Sequence, residues 1–203
     1  MADIEALKPS NTGWLVADVV ADTFAFGWTR TELDPALLAL LLDEQWQPYL
    51  VFPGEFVAPE RVVMQLQTSM KRPLFVRVVT GVQISATKRP LFVLLDATWP
   101  EARKMFRKSP YLDKLPVLSL QAKQHSNYKL RRSQRDAHFC TSEVAARCLA
   151  LAGDALASQA LEAYLDVFTH HYLQARQQLP IDGDDAAHQR LRTFKGPNRP
   201  IAQ

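Results

Sequence analysis

Five apolar residues run without a break from Leu91 to Leu95, and Asp96-Ala97-Thr98-Trp99 follows at once. A short continuous apolar run bounded by a polar turn reads as a strand buried on both faces, as in a parallel sheet. Thr98 and Glu101 stand three apart with Pro100 between them, the spacing of a capping box with proline in the first turn, so a helix is expected over about 99–108. Ala102, Met105 and Phe106 face inward in that helix, and Ser109-Pro110 stops it. Similar patterns place other elements. Thr23–Trp28 reads as an edge strand, and Asp34-Pro35 opens a helix with Leu37, Leu38, Leu41 and Leu42 on its apolar face, closed by Gln47-Pro48. Tyr49–Phe52, Leu74–Val79 and Leu115–Leu120 read as strands, and 59–70 as a short helix. Thr141-Ser142-Glu143 opens a helix to about Leu151 capped by Gly153, and Asp154 opens another in which Leu161, Tyr164, Leu165, Phe168 and Tyr172 recur at helical spacing. Strands alternating with helices predict an α/β fold: a mostly parallel sheet flanked by helices. One domain over 1–203 is expected, with its core at about 10–178 and a loosely packed polar tail at 179–203.

Composition adds little to that picture, and charge adds more. Apolar residues make up 47% of the 203, which suits a globular chain. No run of eighteen or so apolar residues and no signal-peptide pattern occurs, so a soluble, intracellular, cytoplasmic protein without a membrane partner is expected. Cys140 and Cys148 are eight apart, which builds neither a disulfide framework nor a CxxC site, and buried inert thiols are the expectation. Residues 1–60 carry ten acids against two bases, whereas residues 102–135 carry ten bases against Asp113 alone. A field that lopsided attracts a polyanion, and nucleic acid or phosphate is the expected partner.

Nucleotide-loop, zinc-protease and nucleophile-elbow motifs are absent, the histidines show no ligand spacing, and no metal is expected. Asp96 is the leading chemical candidate, because open α/β sheets take ligands at the carboxyl ends of their strands. Such a carboxylate can accept a proton or orient a reactant, or it can merely cap the helix that follows. Trp99 can stack on a base or belong to the core. Pro53-Gly54-Glu55 ends a strand where backbone can approach a ligand closely. Arg131 or Arg132 can hold a carboxylate or phosphate, and Thr141 as N-cap would offer backbone donors to an anion. Capping also accounts for Thr141 and Glu143.

Asp96-Ala97-Thr98-Trp99 resembles the DxTW signature of the DTW-domain family, the tRNA-uridine aminocarboxypropyltransferases. Ser10-Asn11-Thr12-Gly13 is similar to that family's SNTG turn, Phe52-Pro53-Gly54 to its proline-containing loop, and Tyr128-Lys129-Leu130-Arg131 with Thr141-Ser142-Glu143 to its YxLR and [ST]xE pair. The motifs run in family order from about residue 10 to 172. The resemblance implies a SPOUT-like fold with a trefoil knot, which general topology rules do not favour. It also implies transfer of the 3-amino-3-carboxypropyl group of S-adenosylmethionine, as co-substrate, to N3 of a tRNA uridine. Asp96, Thr98 and Trp99 would be the catalytic residues. Pro53, Gly54, Glu55, Leu94, Leu120, Leu130, Arg131, Thr141 and Glu143 would bind the co-substrate. Asn11, Thr12, Arg103, Lys104, Arg107, Lys108, Lys129, Arg132 and Arg135 would contact tRNA. Two departures stand out: no cysteine precedes Cys140, so no zinc is carried over, and Trp14 follows the SNTG glycine where the family commonly has a base. A SPOUT-type RNA methyltransferase and a non-catalytic RNA-binding module remain as alternatives, and monomer or homodimer is left open.

Overall fold

The computed structural model describes residues 8–66, 74–76, 88–120, 126, 130, 139–181 and 183–194. Within them the chain forms α1 (Gly13–Val19), β1 (Thr23–Phe24), α2 (Pro35–Leu42), β2 (Trp46–Val51), β3 (Val62–Val63), β4 (Leu74–Val76), β5 (Arg89–Val93), α3 (Trp99–Lys108), β6 (Val117–Leu118), α4 (Thr141–Leu151), α5 (Ala155–Arg176) and α6 (Ala186–Arg192). The six strands form one sheet in the order β1-β4-β5-β2-β6-β3, and every pairing is parallel. The expected α/β architecture with a parallel sheet and flanking helices is therefore present.

The apolar run at Leu91 shows why it must sit mid-sheet. Leu91 and Val93 pack in one core with Leu37 and Leu41 of α2 and Ala102 and Met105 of α3. Phe92 and Leu94 point the other way, into a core with Leu15 and Val16 of α1, Ala145 and Leu149 of α4, and Leu161 and Leu165 of α5. Successive strand residues alternate between faces, so a run with no polar member needs helices on both sides. β2 repeats the arrangement, with Leu50 in the first core and Tyr49 and Val51 in the second.

Several boundaries differ from the sequence reading. α2 stops at Leu42, well before Gln47-Pro48, because the Asp43 side chain takes over: its carboxylate accepts from the Gln45 backbone at 3.0 Å and from the Gln45 amide at 2.6 Å. Leu38 and Leu42, expected on the buried face, are 39% and 64% exposed. Pro48 lies inside β2. Leu50 and Phe52 donate their N–H groups to Pro116 and Leu118, so by alternation position 48 faces the same side, before β6 begins, where a missing N–H is tolerated. The segment from Pro59 starts with one 3₁₀ turn, Pro59–Arg61, and then enters β3 instead of a helix; 67–70 lie outside the described residues. The expected strands at 74–79 and 115–120 are described only at β4 and β6. Gly153 adopts φ 85 after α4, the left-handed turn for which glycine is suited.

The stretch read as a loose tail holds α6, docked on α5. Asp185 caps it, accepting from the His188 backbone at 2.9 Å. The same carboxylate lies 2.8 Å from His188 Nδ1 and 2.9 Å from His170 Nε2, while His171 Nε2 and His188 Nε2 share a 2.8 Å contact. Arg190 pairs with Glu162 and Asp166 of α5. The His171 imidazole is held below its ordinary pKa, first by burial and then by the neighbouring His188 and His170. A depressed histidine pKa favours the neutral form in the folded state, so its contribution is full above the unfolded value of about 6.5 and is lost as pH falls below it. Hydrogen exchange, corrected for intrinsic rate, is expected to show weaker protection of α6 at pH 5.5 than at pH 7.5, with α4 unchanged. Equal protection of α6 at the two pH values would contradict this docking account.

Candidate active site

The sheet order β5-β2-β6 sets the carboxyl ends of three strands side by side. Chain leaving β5 passes through buried Leu94 to Asp96, which is half-buried. Asp96 Oδ2 accepts from Asn11 Nδ2 at 3.0 Å, and Oδ1 accepts from the Thr141 hydroxyl at 2.7 Å. Asn11 also accepts the Gly13 N–H at 2.7 Å, which folds the turn back on itself. The Ser142 N–H reaches the Thr12 hydroxyl at 3.4 Å. The SNTG, DATW and TSE segments, far apart in sequence, thus meet at one carboxylate that is held at each oxygen.

Gly13 makes the meeting possible. A Cβ there would stand 2.6 Å from Asp96 Oδ2 and 2.9 Å from its Cγ. Asp96 is not the cap of α3. Thr98 holds that position, and the Glu101 carboxylate accepts from its N–H at 3.2 Å and its hydroxyl at 2.5 Å. Helix capping thus falls to Thr98, while Asp96 accepts from Asn11 and Thr141.

Trp99, the first residue of α3, stacks on Phe52 at 5.5 Å and meets Phe56 edge-on at 5.6 Å. Phe106 stacks on the same Phe52 at 4.4 Å. The indole therefore packs in the aromatic cluster that joins α3 to the end of β2. Beyond β2, the Gly54 N–H donates to the Ser119 hydroxyl at 3.0 Å, and a Cβ at Gly54 would crowd Ser119 and Val62 at 3.1 Å. This ties the Pro53-Gly54-Glu55 loop to the chain after β6, where Leu120 is half-buried; Glu55 is exposed.

At α4 the N-cap is Cys140, with extended φ −76 and ψ 167, and Thr141 is the first helical residue rather than the cap. Glu143, 5% exposed, accepts from the Cys140 N–H at 2.8 Å and from the Ser126 hydroxyl at 2.7 Å, so its carboxylate serves the helix start. Burial pushes the Cys140 thiol up to about 12 and raises Cys148 as well, which keeps both uncharged and poor nucleophiles. Asn11 and Thr12, expected among tRNA contacts, are 7% and 4% exposed and turned inward. Arg103, Lys104, Arg107 and Lys108 stand exposed along α3, with Arg103 over the Phe56 ring at 5.0 Å. Leu130 is half-buried, whereas Lys129, Arg131, Arg132 and Arg135 lie outside the described residues.

Sequence reasoning missed that Asn11 and Gly13 serve the acid; the available signal was a glycine opening a helix, where alanine is the better former. It also missed the histidine cluster, because His170 and His171 reach a common partner on another helix. Among the described residues no group of three His, Cys, Asp or Glu side chains is placed to hold a metal ion, and no helix is long and apolar enough to cross a membrane.

The family model of the DTW domain matches residues 1–173. Over 59 residues the chain is 39% identical to tRNA-uridine aminocarboxypropyltransferase 2 of Drosophila melanogaster, a match covering 29% of this chain and 24% of that protein. The match thus spans about a quarter of that relative's length. No solved structure matches.

Gly13→Ala is expected to lower the unfolding free energy by about 1–3 kcal/mol in urea, through overpacking against Asp96, despite the roughly 1 kcal/mol that alanine gains over glycine in a helix. Gly27→Ala, with nothing within 4 Å of the added carbon, should stay within about 0.5 kcal/mol of the parent. Equal effects at the two glycines would contradict the close approach.

Proposed function

The chain belongs to the DTW-domain family, and from that premise we propose that it is a tRNA-modifying transferase: it moves the 3-amino-3-carboxypropyl group of S-adenosylmethionine to N3 of a tRNA uridine. The observation that carries this reading is the Asp96 carboxylate, oriented by Asn11 and Thr141 at the carboxyl edge of a parallel sheet.

The Asp96 carboxylate is an acceptor, as a uridine N3–H requires. A nucleoside-bearing co-substrate suits the edge where the loops after β2, β5 and β6 adjoin. Close backbone at Gly54, tied to Ser119, gives a rigid wall there. The co-substrate supplies a sulfonium, whose carbons are open to displacement. Asp96 takes the N3 proton of uridine, or the hydrogen bond from it, as the N3–carbon bond forms. The carbon–sulfur bond breaks with its electron pair going to sulfur, and neutral 5′-methylthioadenosine leaves. Which of the sulfonium carbons reacts depends on which one faces N3, so much of the rate comes from positioning. Asn11 and Thr141 fix the carboxylate plane for that geometry.

The exposed bases of α3, with those at 129–135, grip the tRNA backbone, and the target base leaves its stack to reach Asp96. The same reading takes 1–203 as one domain, cytoplasmic, with the SPOUT-like arrangement and knot as its finer fold.

The test is incubation of the protein with unmodified tRNA and S-adenosylmethionine labelled separately in the carboxyl carbon and in the methyl carbon. Carboxyl label in a digested uridine nucleoside is the expected result. Methyl label alone would replace this reading with methyl transfer, and no label in RNA under either condition would leave binding without catalysis.

A further inference from the structure

The loop between β1 and α2 is fastened to the far end of α3. The Trp28 indole N–H donates to the Ser109 hydroxyl at 2.8 Å, and the Tyr111 hydroxyl donates to the Thr29 carbonyl at 2.6 Å. Ser109 is 1% exposed, so one anchor is fixed in the core. Arg30 is the next residue of this loop. It lines a cavity of about 490 Å³ with Thr31, Arg107, Lys108 and Pro110. Three basic residues from two elements thus line one concavity that has no acid in its lining. None of the three has an ion-pair partner among the described residues.

Self-stabilisation explains part of this. Arg107 and Lys108 sit in the last turn of α3, where cations favour the helix dipole. Arg30 belongs to another element and gains nothing from forming that turn. Bringing a third positive charge to the other two costs repulsion, which an anion would offset. The concavity also lies at the end of a track. Arg103, Lys104, Arg107 and Lys108 recur along the exposed side of α3, whose ten residues rise about 14 Å from the Asp96 edge.

We propose that Arg30, Arg107 and Lys108 form a backbone-phosphate subsite for the RNA substrate, set a few nucleotides from the base that reaches Asp96. This rests on the tRNA-modification reading and adds to it a residue, Arg30, from the acidic N-terminal third of the chain. The subsite grips; it takes no part in the chemistry. Its groups act as point charges and forked donors to phosphate oxygens.

The experiment measures tRNA affinity by fluorescence anisotropy between 50 and 200 mM salt for the full chain, Arg30→Ala, Arg30→Lys and Arg176→Ala, an exposed arginine at the end of α5. Arg30→Ala should lower the slope of log affinity against log salt by about one. Arg30→Lys should restore most of it, and Arg176→Ala should leave it unchanged. An unchanged slope in Arg30→Ala overturns the subsite, as does an equal loss in Arg176→Ala, which would make the effect one of net charge. Absence of tRNA binding by the parent overturns it too. Label transfer is read separately on the same parent preparation: binding with the expected slope but no transfer sinks the enzymatic reading and leaves the subsite standing. Transfer with no slope change at Arg30 does the reverse.

Discussion

One carboxylate, Asp96, joins three parts of the chain that share no secondary structure. Asn11 precedes α1, Asp96 follows β5, and Thr141 begins α4. The two Asp96 oxygens each accept one bond, from Asn11 and from Thr141, which a single amide or hydroxyl oxygen could not do. Removing charge from water is costly, and the two bonds offset part of that cost; an amide could accept at one position only and would turn its NH2 toward the Asn11 NH2. Gly13 tells the same story from the other side: the backbone of α1 comes so near Asp96 that no side chain fits.

The sheet makes that placement possible. β5 and β2 are covered on both faces, by α2 and α3 on one and by α1, α4 and α5 on the other. With both faces covered by helices, the strand ends remain as places for chemistry, and the loops after β2, β5 and β6 cluster at one edge. Two close contacts pin that edge: Gly54 against Ser119 and Gly13 against Asp96. α3 then carries its bases away from the acid along the outside of the molecule, while Trp99, Phe52 and Phe106 weld its other face to the sheet. A carboxylate at one end of a helix and positive charge along its exposed side is an arrangement suited to a long polyanion.

What could be read in the sequence was local. The run from Leu91 to Leu95 showed a strand covered on both faces, Thr98 and Glu101 showed the cap, and Asp34 with Pro35 showed where α2 starts. Each of these is decided by residues within a few positions of one another. Where local rules failed, a competing local bond or a distant partner decided. Asp43 ended α2 early by bonding Gln45, and Pro48 survived inside a strand because its neighbour starts two residues later. The site was legible in part. Its acid stood out, but that the Asn11 amide bonds Asp96 could not be read from positions 85 residues apart. The N-cap of α4 fell on Cys140, one residue before the Thr141 that reads like a cap, which freed the Thr141 hydroxyl for the acid. The docking of α6 was not legible at all, since it depends on Asp185 and His188 meeting His170 and His171 across two helices.

The central claim is that Asp96 is kept for chemistry. It is tested most directly by measuring, on the same preparation of Asp96→Asn, the rate of carboxyl-label transfer to tRNA and the unfolding free energy in urea. Asparagine preserves size and can still accept from Thr141, but its NH2 then faces the Asn11 NH2, so a loss of about 1–3 kcal/mol is expected while the protein stays folded. The transfer rate should fall by about two orders of magnitude or more. Near-parental transfer by a folded Asp96→Asn protein would contradict the account.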